Sequence, residues 1–201
     1  HESRAEPRTD AWRGDLDALG MRPDTIAASL LSADARRLYM AGFDRDRHDI
    51  EGILHTVRLT RAAAQNVRDL IAGYGEIWST KLFREFFAAR GKRPGAVQWI
   101  DARQCVVVEW GPLGPAVLWD ESRAKLQQLV QSFSTDGEFK GTLIITGFIA
   151  SDRRGVQTTL GRNGSDFSGS IFGSLLDAAE IHIWTDVDGV LSADPRRVPD
   201  A

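Results

Sequence analysis

Thiols are almost absent from this sequence: Cys105 is the single cysteine, so no internal disulfide can form and no cysteine-built metal centre is available. That usage fits a reducing compartment, and the cytoplasm is the expected location. Histidine is nearly as scarce. His1, His48, His55 and His182 stand far apart and match no H-E-x-x-H or paired-ligand spacing, so each is read as structural or solvated and no protein-built metal site is expected. Charge of one sign is lacking as well: 25 basic against 28 acidic residues leave a net charge of -3, so no global positive field exists to hold nucleic acid or an anionic membrane. No apolar run approaches the roughly 18–20 residues of a membrane helix. The polar start from His1 to Asp10 carries no signal-peptide core, and a soluble protein is expected.

What the chain does have is 42% hydrophobic residues over 201 positions, enough for one large core without staples. From Asp49 to Ala72 the apolar residues Ile50, Ile53, Leu54, Val57, Ala64, Val67, Leu70 and Ile71 recur mostly at spacings of three and four, which predicts one long amphipathic helix. Before it, shorter helices are expected, broken at Gly20–Pro23 and around Gly42. Residues 1–72 therefore read as a helical N-terminal part, and residues 73–201 as an α/β core. In that core a helix is expected over Trp78–Arg90, stopped by Gly91, followed by strands at Val97–Ile100 and Cys105–Trp110. Pro112 and Pro115 then break the chain ahead of a helix over Glu121–Phe133. Thr142–Ala150, reading TLIITGFIA, is the strongest strand, an apolar run suited to a sheet covered on both faces. A polar hairpin-like segment, Ser151–Leu160, leads to a helix over Ser165–Ala179, with Phe167, Ile171, Phe172, Leu175 and Leu176 turned inward. Ile181–Thr185 reads as another buried strand. The alternation predicts an α/β fold, a three-layer α/β/α sandwich with a mainly parallel sheet.

Three segments carry chemistry. In Gly161-Arg162-Asn163-Gly164-Ser165-Asp166, two glycines allow close backbone approach, and the helix start behind them favours an anion. Arg162 adds a two-pronged donor for a carboxylate, while Asp166 can accept from an ammonium group. The same turn also reads as an ordinary capped helix with Ser165 as the cap. In the second, Trp184-Thr185-Asp186-Val187-Asp188-Gly189-Val190 with Ala193-Asp194-Pro195-Arg196, polar groups emerge at the C-terminal end of a buried strand, where open parallel sheets bind nucleotides. A calcium loop is rejected there, because Val190 occupies a ligand position and no glutamate closes the loop. In the third, Gly73-Tyr74-Gly75-Glu76-Ile77-Trp78-Ser79, a glutamate stands at an expected helix entrance, where it could do no more than favour the helix dipole.

In this order and spacing the three segments resemble the aspartokinase members of the amino-acid kinase family. GYGEIWS matches that family's G-x-G-E-x-x-S element, TGFIA its central strand, TLGRNGSD its substrate loop and EIHIWTDVDGVLSADPRRVPDA its nucleotide segment; VQWIDAR fits a further strand. The wording GRNGSD, IWTDVDGV and ADPR is most similar to aspartokinases fused to homoserine dehydrogenase, although no G-x-G-x-x-G fingerprint of a dehydrogenase half is present. The resemblance implies transfer of the ATP γ-phosphate to the β-carboxylate of L-aspartate, with Mg2+ accompanying ATP and a homo-oligomeric assembly. It implies that Glu76, Arg162, Ser165 and Asp166 contact aspartate, that Asp166 and Arg162 serve catalysis, and that Thr185, Asp186 and Arg196 serve ATP. Leu191 stands where the family has an aromatic residue beside the adenine.

Two family features are not matched. No K-F-G-G-T segment occurs in residues 1–72, and a second family lysine would lie past Ala201. Lys81, Lys92, Lys125 and Lys140 match neither position, so the chain taken alone is expected to lack most catalytic power. Two other readings stay open: a non-catalytic remnant of the same fold, or a kinase of another amino acid. An acylated amino group would leave the acidic partners unsatisfied, which favours a free amino acid.

Overall fold

Three long helices open the computed structural model, which describes residues 11–91, 95–112, 114–134, 139–161, 164–184 and 197–198. Helix α1 spans Ala11–Leu30 and continues through Gly20 and Pro23, where the sequence suggests a break. An interior proline forfeits a backbone hydrogen bond and crowds the preceding turn, at about 3 kcal/mol. Packing against α2 (Ala33–Thr60) overrides that local preference. Leu16 and Ala27 are buried, Arg36 grips Asp24 with contacts of 2.8–2.9 Å, and Arg47 reaches Asp17 at 2.6 Å. Ser32 caps α2 by accepting from the Ala35 N–H at 3.4 Å, and the helix runs on through Gly42.

The helix expected across Asp49–Ala72 is instead divided. Arg61 closes α2 in the left-handed conformation, at φ 52°, and α3 begins afresh at Gln65 and runs to Arg90. Arginine in place of the usual glycine gives no stop signal, so the apolar spacing reads as unbroken. The reversal lets α3 fold back on α2: Phe43 and Trp78 have ring centroids 4.4 Å apart, the Tyr39 hydroxyl donates to Trp78 O at 3.2 Å, and Trp78 Nε1 donates to Asp46 Oδ2 at 3.0 Å. Gly91 ends α3, as expected, its N–H bonding Phe87 O and Ala88 O.

Strand β1 (Val97–Ile100) pairs in parallel with β4 (Thr142–Ile145), Val97 opposite Thr142 and Ile100 opposite Ile145. Strands β2 (Val108–Gly111) and β3 (Gly114–Val117) form an antiparallel hairpin, as do β5 (Ile149–Ser151) and β6 (Gln157–Thr159). The hairpin expected in Ser151–Leu160 is thus present. The strand expected from Cys105 starts later, because Ala102–Gln104 is a 3-10 turn, although Val107 bridges Ser151 in parallel. Helix α4 (Trp119–Ser132) buries Ser122, whose hydroxyl accepts from the Val107 N–H at 3.0 Å. Helix α5 covers Gly164–Leu175. One apolar core joins Ile77 of α3, Ile100 of β1, Cys105, Val106, Ile149 of β5, Leu126 of α4 and Ile171 and Leu175 of α5. Burial pushes the Cys105 thiol up to about 12, which leaves it inert at neutral pH.

Two expectations are corrected here. Thr142–Ala150 is not one strand: the chain kinks at Phe148, φ 64°, between β4 and β5. Ile181–Trp184 is neither buried nor a strand, being 44–92% exposed at Ile181, Ile183 and Trp184, with Thr185 outside the described residues. An apolar run becomes a strand only where a neighbouring edge pairs its N–H and C=O groups. Phe167 and Leu176, expected inside, are exposed, whereas Ile171, Phe172 and Leu175 are buried.

Helix α3 meets the β5–β6 hairpin at Gly73 with no room to spare. A methyl there would come within 2.3 Å of Gln157 Nε2 and 2.9 Å of Ile149 Cγ2. Gln157 cannot swing away cheaply, since its Nε2 donates to Asp69 O at 2.8 Å and its Oε1 accepts from Arg103 at 2.6 Å. Alanine for a mid-helix glycine normally stabilises by about 0.5–1 kcal/mol. Gly73→Ala is therefore expected to destabilise by about 1–3 kcal/mol through overpacking. Gly75→Ala, in the same helix with nothing within 4 Å, is expected to stabilise. Urea unfolding of the two variants checks the opposite signs.

Candidate functional site

The substrate-loop candidate lies at the mouth of α5. Gly161 takes φ 79°, and its carbonyl accepts from the Gly164 N–H at 3.2 Å. Gly164 is required by contact: a Cβ there would stand 2.7 Å from Phe148 Cδ2 and 3.3 Å from Leu160 Cβ. Ser168 fixes this approach from within the helix. Its hydroxyl donates to Gly164 O at 2.6 Å and accepts from the Phe148 N–H at 2.8 Å, while the Leu160 N–H bonds Phe148 O at 2.7 Å. The kink at Phe148 is thereby tied to the α5 mouth. Asp166 occupies the first turn of α5 and is exposed, where a carboxylate favours the helix dipole.

Glu76 is not at a helix entrance. The segment Gly73–Ser79 lies inside α3, so the dipole role weighed for it from sequence falls away. Asp69, Gly73 and Glu76 recur at spacings of four and three, which places them along one face of the helix. That face is the one turned to the strands. Asp69 accepts from Thr158 at 3.4 Å, Gly73 abuts Ile149, and a turn beyond Glu76 the hydroxyl of Thr80 accepts from Trp99 Nε1 of β1 at 3.0 Å. Thr80 also donates to Glu76 O at 2.6 Å, so the backbone carrying Glu76 is anchored to β1. The Glu76 carboxylate is half-buried, and among the described residues it has neither a hydrogen-bond donor nor an ion pair. Desolvation alone holds its pKa above the ordinary value of 4.5.

Gly73 and Gly164 touch adjacent residues, Ile149 and Phe148, so α3 and the α5 mouth flank the same β4–β5 kink. Of the residues expected at the site, Glu76 and Asp166 are thus on elements that meet at that kink. Arg162, Thr185, Asp186 and Arg196 lie outside the described residues, as does the side chain of Ser165. Leu191 lies outside them too. Thr80 and Ser168 position the site and were not singled out from sequence. Each bonds the carbonyl four residues back, and a mid-helix Ser or Thr is the one signal that could have marked them.

These elements place the candidate site residues Glu76 and Asp166 on a helix and a helix mouth that both pack against the β4–β5 kink. The "Amino acid kinase family" profile matches residues 20–201, and the chain belongs to that family. It is 35% identical over 198 residues, 98% of its length, to the chloroplastic bifunctional aspartokinase/homoserine dehydrogenase of Daucus carota, of which it spans 21%. It is 33% identical over 159 residues, 76% of its length, to lysine-sensitive aspartokinase 3 of Escherichia coli (strain K12), of which it spans 33%. Its structure superposes on E. coli aspartokinase III, solved in complex with aspartate and ADP, with a TM-score of 0.77, 26% identity and coverage of 96% of this chain and 40% of that one. The fold is accordingly the three-layer α/β/α arrangement of the amino-acid kinases, preceded by a helical N-terminal part. No helix among the described residues is long and apolar enough to cross a membrane.

The Glu76 carboxylate, unpaired among the described residues, yields a signed prediction. Its folded-state pKa is raised, so the proton is held more tightly in the folded than in the unfolded chain. That stability is present below the ordinary glutamate value and is lost as pH rises through the folded value. Glu76→Gln removes the penalty. In the ligand-free protein the variant is expected to melt higher than wild type at pH 7, and the gap is expected to close on acidification below about pH 4. Paired thermal melts at the two pH values measure it.

Proposed function

We propose that the protein is an aspartate kinase, transferring the γ-phosphate of ATP to the β-carboxylate of L-aspartate to give 4-phospho-L-aspartate. This would be the first step towards lysine, threonine and methionine. The observation that carries the reading is the half-buried carboxylate of Glu76, unpaired among the described residues, on the face of α3 that packs against the strands. A desolvated anion without a cation calls for a cationic ligand group, and the ammonium of a free amino acid supplies one. Asp166 completes an acidic pair for that ammonium, Arg162 takes a carboxylate of the ligand, and Ser165 donates alongside it. The likeness to an aspartokinase solved with aspartate and ADP supports the same assignment.

Thr185, Asp186 and Arg196 are assigned to the nucleotide. The acceptor carboxylate, with a pKa of about 4, is already an anion at neutral pH, so no general base is required. The barrier lies in bringing two anions together, and cationic side chains, backbone N–H groups and phosphate-bound Mg2+ lower it. Mg2+ bound with the nucleotide would supply positive charge there, and no described residue is assigned to hold it. Fusion to homoserine dehydrogenase, as in the carrot relative, and homo-oligomeric assembly belong to the same reading. Its compartment is the cytoplasm, or a plastid in a plant host.

The chain spans about a fifth of the carrot relative, so the activity proposed is that of the whole protein. In the whole protein, trapping acyl phosphate with hydroxylamine in the presence of ATP and aspartate is expected to show turnover of roughly 1–100 per second, and the chain taken alone is expected to fall far below that. Glu76→Gln is expected to lose most of it, with aspartate affinity weakened by at least about tenfold. Aspartate should raise the melting temperature where glutamate and N-acetylglutamate do not. Binding without product would identify a non-catalytic relative, and a larger shift with glutamate would reassign the acceptor.

A further inference from the structure

A cavity between α2, α3 and β1 is lined by Gly42 and Arg45 of α2, Lys81, Arg84 and Glu85 of α3, and Trp99 of β1. Its volume is about 380 Å³, within the range of small-molecule sites. The cations there are incompletely answered. Arg84 is spent on Glu85 at 2.5 Å. Lys81 comes no nearer to Asp46 than 3.8 Å, and that carboxylate already accepts from Trp78 Nε1 at 3.0 Å. Arg45 has no hydrogen-bond or ion-pair partner among the described residues.

The rest of the lining favours a ligand with a body as well as a charge. The Lys81 ammonium rides over the Trp99 ring at 5.2 Å from its centroid, so a flat surface lies directly beside a cation. Trp99 is fixed in turn by its bond to Thr80. Gly42 leaves part of the space open, because a Cβ there would meet nothing nearer than Arg45 Nη2 at 3.9 Å.

We propose that this cavity is a second ligand site, taking a small organic anion whose carboxylate or phosphate lies between Arg45 and Lys81 and whose flat body rests on Trp99. It does not depend on the assignment of Glu76. Occupancy would bear on α3 directly through Lys81, and through Trp99 by way of its bond to Thr80.

The test is a calorimetric titration of the protein with phenyl phosphate, phthalate, inorganic phosphate and benzyl alcohol. Saturable binding of phenyl phosphate or phthalate in roughly the millimolar range or below is expected, weakening as salt rises. Which of the two binds tells whether the site prefers a phosphoryl group or carboxylates. Arg45→Ala, at an exposed helical position, should weaken binding about tenfold. Gly42→Leu puts a side chain into the space, its Cβ meeting nothing nearer than 3.9 Å, and should abolish binding while helicity by circular dichroism is kept. Glu76→Gln should leave it unchanged, which separates this site from the aspartate site. Equal binding of benzyl alcohol or of inorganic phosphate, no binding of either organic anion, or undiminished binding by Arg45→Ala would overturn the proposal.

Discussion

Everything at the site depends on how closely α3 can lie against the β5–β6 hairpin, and that distance is set by the missing side chain of Gly73. With no Cβ there, the helix face touches Ile149 and Gln157 directly, and Gln157 stitches the contact by bonding Asp69 O and Arg103. Arg103 is held in turn by two-pronged contact with Asp101 beyond β1. A helix fixed at that depth carries Glu76 to a defined position beside the β4–β5 kink. The kink itself is fixed by a second close approach, Gly164 against Phe148, locked by Ser168. Two glycine contacts on consecutive residues therefore bring a helix face and a helix mouth to one place.

The electrostatics at Glu76 set the stability of the empty fold against the proposed binding of a ligand. A half-buried carboxylate with no partner among the described residues is a cost to folding, and its raised pKa expresses that cost. In the proposed function a cationic ligand group relieves it, so the binding energy would include the removal of a penalty built in beforehand. The thiol of Cys105, held neutral by burial, takes no part. Chemistry of this kind needs charge placement and not a nucleophilic side chain, which agrees with the scarcity of cysteine and histidine in the sequence.

Family membership and the site motifs were legible because they are local: GYGEIWS and GRNGSD keep their residue types whatever the surrounding packing does. The β5–β6 hairpin, α4, α5 and the Gly91 stop were legible for the same reason, each carrying its own periodicity or turn chemistry. What sequence could not give were the places where tertiary contact overrides a local rule. Pro23 stays in a helix because α2 braces it, and Arg61 makes a turn that no glycine announces. Phe148 adopts a left-handed backbone inside an apolar run that reads as one strand, because its N–H and C=O are taken by Ser168 and Leu160 and not by a neighbouring strand. Glu76 sat in a motif that suggested a helix entrance, and only the continuity of α3 shows it on a face beside the strands.

The central claim is that the Glu76 carboxylate stands desolvated and unpaired until the ammonium of aspartate meets it. NMR titration of that carboxyl group, with and without saturating aspartate, tests this most directly. Its pKa should lie above the ordinary glutamate range in the free protein and should fall when aspartate binds, because a nearby cation stabilises the charged form. A pKa already ordinary in the free protein, or one that aspartate leaves unmoved, would contradict the claim.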